Sequence, residues 1–196
     1  MDIISLTQPQ NKLVVDIGMG KGRLSIALAK SNAEMIVGAD ISKEMIGIAK
    51  QRAEVAGISE KISMVNCDAE HLPFKDNCFP VVYCIQIFPH LPNPLISMLE
   101  LSRIAQKNGF VVADAIVVSY FRRILESVYY FKALYPFRLI FHKVLGKPLN
   151  RLEYNSTVIV NSFSRRFFLN LYQKAKLQLK ITERYAIFLM ALAKKI

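Results

Sequence analysis

Three short segments carry residue types at spacings that suit ligand chemistry. Asp16-Ile17-Gly18-Met19-Gly20-Lys21-Gly22 is a D-x-G-x-G-x-G run. Glycines at alternate positions let the backbone turn sharply and approach a ligand with no side chain between them. A dinucleotide fingerprint, G-x-G-x-x-G, would need a third glycine where Arg23 stands, which argues against NAD. Asp40 follows Gly22 by eighteen residues and offers an acceptor-only carboxylate able to take both hydroxyl protons of a ribose. Asp68 opens the run DAEHLPF and supplies an acceptor for an exocyclic amine. Cys67, Cys78 and Cys84 show no C-x-x-C spacing, and His71, His90 and His142 are scattered, so no metal is expected.

The elements around these segments predict where they meet. LVVDI, MIVGADI, KISMVNC, FPVVYCIQI and GFVVADAIV read as five strands, separated by helical stretches such as 42–56 and 93–105. Ser42 is the expected N-cap of the first of these, with Glu44 in its first turn. Strands alternating with helices predict a parallel sheet covered on both faces. Ligands in such a sheet sit beyond the carboxyl ends of the strands, where Asp16, Asp40 and Asp68 all fall.

After residue 118 the texture becomes aromatic and basic. Tyr120, Phe121, Ile124, Leu125, Val128 and Tyr129 recur at helical spacing, as an inserted cap would. A helix is predicted over 164–176, then two last strands, expected to be antiparallel. The chain is read as a single domain over 1–196. Residues 1–118 form its cofactor-binding half, 119–162 the cap or substrate region, and 163–196 the final helix and strands.

The chain of 196 residues is 53% hydrophobic with a mean hydropathy of +0.27, yet no apolar run reaches the roughly 18 uncharged residues of a membrane helix. The N-terminus has no basic leader ahead of an apolar stretch, and with the unpaired cysteines this predicts a cytoplasmic protein. Of the net charge of +11, a net +10 lies in 119–180, where 12 Lys and Arg face two acidic residues. That basic region could meet an anionic membrane surface, a nucleic acid, an acidic substrate or solvent alone.

The segments VVDIGMGKG, GADIS, CDAEHLPF, FPVVYCIQIFPHLPNP and SRIAQKNGF, in this order over residues 12 to 118, resemble the class I S-adenosylmethionine-dependent methyltransferases. Within these the likeness is to the ubiquinone and menaquinone C-methyltransferase group (methyltransferase type 11). The resemblance implies a three-layer α/β/α sandwich, a Rossmann-like methyltransferase fold with a mostly parallel seven-stranded sheet and an antiparallel last strand. By it, Asp16, Gly18, Gly20 and Gly22 would hold the methionine part of S-adenosyl-L-methionine, and Asp40 the ribose. Ile41 would pack on adenine, Asp68 and Ala69 would read its edge, and Cys84 and Ile85 would face the methionine end. S-adenosyl-L-homocysteine would be the product.

The chain departs from the family at Pro80, at Cys84 and at Lys107-Asn108-Gly109, and only about ten residues precede the first strand, where the family has a roofing helical segment. His90 is the candidate general base, needed only when the acceptor atom loses a proton near the transition state. The expected acceptor is a small molecule, with a quinone-like or isoprenoid compound favoured. Two alternatives stand beside it. One is an RNA methyltransferase, suggested by the charge but without an N-P-P-Y or Pro-Cys motif. The other is a non-catalytic methyltransferase-like partner subunit, suggested by the short N-terminus. The oligomeric state is left open.

Overall fold

The computed structural model describes residues 3–117, 163–185 and 188–196. The cap residues singled out above, from Tyr120 to Tyr129, with His142 and most of the basic region, lie outside the described residues.

Five strands follow one another in the first part of the chain: β1 (Leu13–Ile17), β2 (Met35–Asp40), β3 (Ile62–Asn66), β4 (Phe79–Cys84) and β5 (Ala105–Ile116). Helices α1 (Ile3–Thr7), α2 (Arg23–Lys30), α3 (Lys43–Val55) and α4 (Pro94–Ile104) stand before and between them. The last part supplies α5 (Arg165–Lys174), β6 (Leu177–Tyr185) and β7 (Phe188–Lys195). One sheet in the order β3-β2-β1-β4-β5-β7-β6 takes in all seven strands. β1 to β5 pair in parallel, while β7 runs antiparallel to both β5 and β6.

Both faces of the sheet are covered, which explains why Val14 and Val15, pointing to opposite sides of β1, are equally buried. One face packs Val15, Ile17, Val82 and Ala113 against Met98, Leu101 and Ile104 of α4 and Phe168, Leu171 and Tyr172 of α5. The other packs Val14, Ile36, Tyr83 and Val112 against α2 and α3, with Ile3 and Ile4 of α1 at its margin. These are the three layers expected of the fold.

Local chemistry accounts for the element ends. Ser42 caps α3 as its sequence predicts, its Oγ accepting the Met45 N–H at 3.2 Å. Ser164 caps α5 in the same way through Phe167 N–H. Pro80 is accommodated because the β4–β5 register shifts between Phe79 and Val81, so no ladder bond is demanded of a residue without an N–H. Gly109 answers it across the pair: a Cβ there would lie 2.8 Å from the Pro80 carbonyl oxygen. The short helix α1, which sequence reading did not anticipate, is tied to β4 by a hydrogen bond between the Thr7 and Tyr83 hydroxyls. No helix among the described residues is long and apolar enough to cross a membrane.

Candidate functional site

The carboxyl ends of β1 and β2 are joined by their own backbone. Gly18 N–H and Met19 N–H both donate to the Ala39 carbonyl, at 2.7 and 3.0 Å. Gly20 N–H donates to Asp40 Oδ2 at 2.8 Å, and Ser42 N–H to Asp40 Oδ1 at 2.9 Å. The Asp40 carboxylate thus fixes the glycine loop and the start of α3 at once. Each of its oxygens has accepted one N–H and keeps capacity for another donor.

Gly18, Gly20 and Gly22 all adopt positive φ, +70°, +52° and +74°, a conformation disfavoured for residues with a Cβ. Their surroundings differ. A Cβ at Gly22 would press on Ala49, so this glycine lets α2 approach α3. A Cβ at Gly20 would meet nothing within 4 Å, which leaves open space over the middle of the loop. A Cβ at Gly18 would lie 2.1 Å from Ile87 Cδ1 and 2.2 Å from its Cγ1. The volume freed by Gly18 is therefore occupied by a side chain of the turn that follows β4.

Asp16, at the end of β1, is 2% exposed and accepts a hydrogen bond from Ser25 Oγ at 2.7 Å. Burial pushes its carboxyl up to about 6, with Ser25 opposing the rise and the Asp40 charge adding to it. Next to Asp40, Ile41 is 71% exposed, an apolar side chain at a strand tip with little protein covering it. Asn66 at the end of β3 donates to the Asp40 and Ile41 carbonyls, holding this tip in place. Asp68 is exposed, and its Oδ1 accepts the Glu70 N–H at 2.9 Å, closing a turn through Ala69.

Cys84 is fully buried in the core, and burial raises its thiol well above the ordinary range, with the charges of Asp114 and Asp16 adding to the effect. Its side chain packs in the same core cluster as Val15, Val82 and Ala113. Ile85 is half-buried against the other core cluster. His90 ends a 3₁₀ turn, Phe88–His90, with its side chain exposed.

Sequence reading missed several residues that shape this edge. Asp114, 3% exposed in β5, accepts the Gln86 N–H at 2.5 Å, and burial lifts its carboxyl to about 6. Gln86 itself has φ +63°. Glu70 accepts both the N–H and the side-chain amide of Asn93, the residue before α4. Arg103 donates to the Leu72 and Phe74 carbonyls, to Glu100 and to Asp76, and so pins the loop after β3 to α4. An acid inside an apolar strand was the available signal for Asp114. The Gly18–Ile87 contact joins distant parts of the chain and leaves no local signature.

A cavity of about 440 Å³ lies between α2 and α3, lined by Ile26, Lys30, Gln51, Arg52, Val55 and Ala56. It shares no residue with the strand tips. No cluster of metal-ligating side chains occurs among the described residues.

The adenosyl half of a cofactor fits what is present: open space over Gly20, an acid fixed at the tip of β2, an uncovered apolar side chain at Ile41 and a polar turn at Asp68–Ala69. Ile87 packs against Gly18, at the start of the same loop.

Known proteins agree with this frame. Residues 15–113 match the methyltransferase domain family. Methyltransferase GfsG of Streptomyces halstedii is 30% identical over 105 residues, which span 53% of this chain and 38% of that protein. A ubiquinone biosynthesis O-methyltransferase of Methylococcus capsulatus is 29% identical over 107 residues, 54% of this chain and 44% of that protein. The chain thus covers well under half of these relatives' lengths. Among solved structures, a SAM-dependent methyltransferase from Methanosarcina mazei superimposes with a TM-score of 0.78 at 16% identity, over 100% of this chain and 98% of that one. The chain belongs to the methyltransferase domain family, and its fold is that of the class I S-adenosylmethionine-dependent methyltransferases.

Proposed function

We propose that the protein is an S-adenosyl-L-methionine-dependent methyltransferase acting on a small acceptor, with a quinone-like or isoprenoid compound as the first class to test. The observation that carries this reading is the joint engagement of Asp40 with the glycine loop and α3, beside the uncovered Ile41. The ubiquinone biosynthesis relative supports the acceptor class.

When bound, the cofactor supplies a methyl group on a sulfonium, already activated toward in-line displacement. The chain's own work is then to bind, align and exclude water. In this reading Asp40 takes the ribose hydroxyls on the lone pairs left by Gly20 and Ser42, while Ile41 covers one face of the adenine. Asp68 and Ala69 meet the adenine edge, and Asp16 provides negative charge behind the glycine loop toward the cofactor's ammonium. His90 accepts the acceptor's proton where one is lost. Residues 119–162 form the acceptor-binding part of a single domain. Their flanking residues Val117 and Phe163 pair at the carboxyl end of β5, beside the strand tips.

Calorimetric titration with S-adenosylhomocysteine tests the cofactor reading. Micromolar affinity is expected, with Asp40→Ala weakening it about 10- to 100-fold through loss of hydrogen bonds to a charged acceptor. No binding by the intact chain would sink the reading. With a verified acceptor, His90→Ala is expected to lower turnover and leave the affinity for S-adenosylhomocysteine unchanged; equal turnover would remove His90 from the reaction.

One observation favours a second reading, a non-catalytic methyltransferase-like subunit: the occupation of the Gly18 position by Ile87. Absence of cofactor binding would select it. An RNA acceptor is the third outcome, marked by RNA binding that weakens steeply with salt.

A further inference from the structure

Gly18 lacks a side chain, yet the space beside it is not free. Ile87 Cδ1 and Cγ1 stand where a Cβ of residue 18 would be. The placement follows from the turn after β4. Gln86 is held at φ +63°, and its N–H is bonded to the buried Asp114 carboxylate on the neighbouring strand. Ile87 then leads into the 3₁₀ turn Phe88–His90, closed by His90 N–H donating to the Ile87 carbonyl at 2.8 Å. Phe88 is fully buried and stacks edge-on against Phe168 of α5, with ring centroids 5.4 Å apart. The backbone on both sides of Ile87 is therefore anchored, and its side chain is half-buried at the margin of the core cluster that holds Ile17 and Phe88. Gly20, two residues along the same loop, has open space above it. Along the glycine loop Gly18 is thus crowded by Ile87 and Gly22 by Ala49, while the space over Gly20 between them is open.

We propose that Ile87 is a specificity-determining gate on the amino-acid arm of the cofactor cleft, seated on Gly18 at rest and rotating away when a ligand with that arm enters. The inference rests on the cofactor reading above and assigns a role to a residue outside the expected ligand set. Its consequence is discrimination by ligand length. A nucleoside thioether with no amino-acid arm needs only the Asp40, Ile41 and Asp68 side. S-adenosylhomocysteine must also displace Ile87, and so gives up part of its affinity to that displacement.

The test is calorimetric titration of the full chain, Ile87→Val and Ile87→Ala with S-adenosylhomocysteine and with 5′-methylthioadenosine, which carries the adenosyl thioether without the arm. Ile87→Ala is expected to tighten S-adenosylhomocysteine about 5- to 10-fold and to leave 5′-methylthioadenosine within 2-fold, with Ile87→Val between wild type and Ala. The unchanged short ligand serves as the control for correct folding of each variant. Unchanged or weakened S-adenosylhomocysteine binding in Ile87→Ala, with 5′-methylthioadenosine still bound, overturns the gate and leaves the cofactor reading standing. Equal tightening of both ligands also overturns it. Failure of both ligands to bind the wild-type chain overturns the gate together with the cofactor reading.

Discussion

Two carboxyl groups, Asp16 and Asp114, sit almost wholly out of water on the β1 and β5 sides of β4, each raised by burial to about 6. Cys84 lies near enough to both for their charges to raise its thiol further. A folded chain that holds these protons more tightly than the unfolded chain gains stability as the pH falls from about 6 toward 4 and is penalised above about 6. Replacing Asp114 by Asn keeps an acceptor for Gln86 N–H and removes one ionisation. Asp114→Asn is therefore expected to raise the thermal midpoint at pH 7.5 by a few degrees, on the order of 1 kcal/mol, and to narrow the difference between pH 7.5 and pH 5. Thermal melts of both proteins at the two pH values check this. A lower midpoint at pH 7.5 would mean that the charged hydrogen bond to Gln86 outweighs the burial penalty. What was readable in the chain alone had a local pattern: the Ser42 cap and the turn made by the alternating glycines. Ile87 meets Gly18, and Asp114 meets Gln86, across parts of the chain far apart in sequence, and one-dimensional spacing holds no record of such contacts.

Among the elements, the strands carry most of the positioning. β2 delivers Asp40 to the glycine loop after β1, while β5 delivers Asp114 to the turn after β4. The alternation of strand and helix was legible because buried parallel strands are short continuous apolar runs and their crossovers are periodic helices. α1 was not legible: five residues, Ile3–Thr7, are too short for a periodic signature, and the helix is held by tertiary contact with Tyr83. β7, although last in chain order, lies inside the sheet between β5 and β6. Its Lys195 Nζ also donates to the Ala105 carbonyl at 2.9 Å and to Asn77 Oδ1 at 2.8 Å, tying it to the start of β5. Deleting residues 188–196 would strip β5 of its second partner, leave β6 with none, and uncover Leu189, Ala191 and Ala193 contacts on both. The shortened chain is expected to lose cooperative unfolding and resistance to limited proteolysis; a protease-resistant product with a native-like melting curve would contradict this.

At the scale of the molecule, the fold places every acid of the expected ligand set along one edge, as the rule for open parallel sheets requires. The seven-stranded order needed the family likeness as well as periodicity, since an apolar run does not say which neighbour it will pair with. Of the net +10 between residues 119 and 180, half lies on described residues, where Arg165, Arg166, Lys174, Lys176 and Lys180 are accompanied by no acid between 163 and 180. Val117 and Phe163 form a parallel bridge, and Phe163 N–H donates to the Ile116 carbonyl at 2.8 Å, so residues 46 positions apart in the chain lie side by side at the end of β5. Because the sheet itself holds those two residues together, a different stretch grafted between them is expected to leave the seven strand pairings as they are.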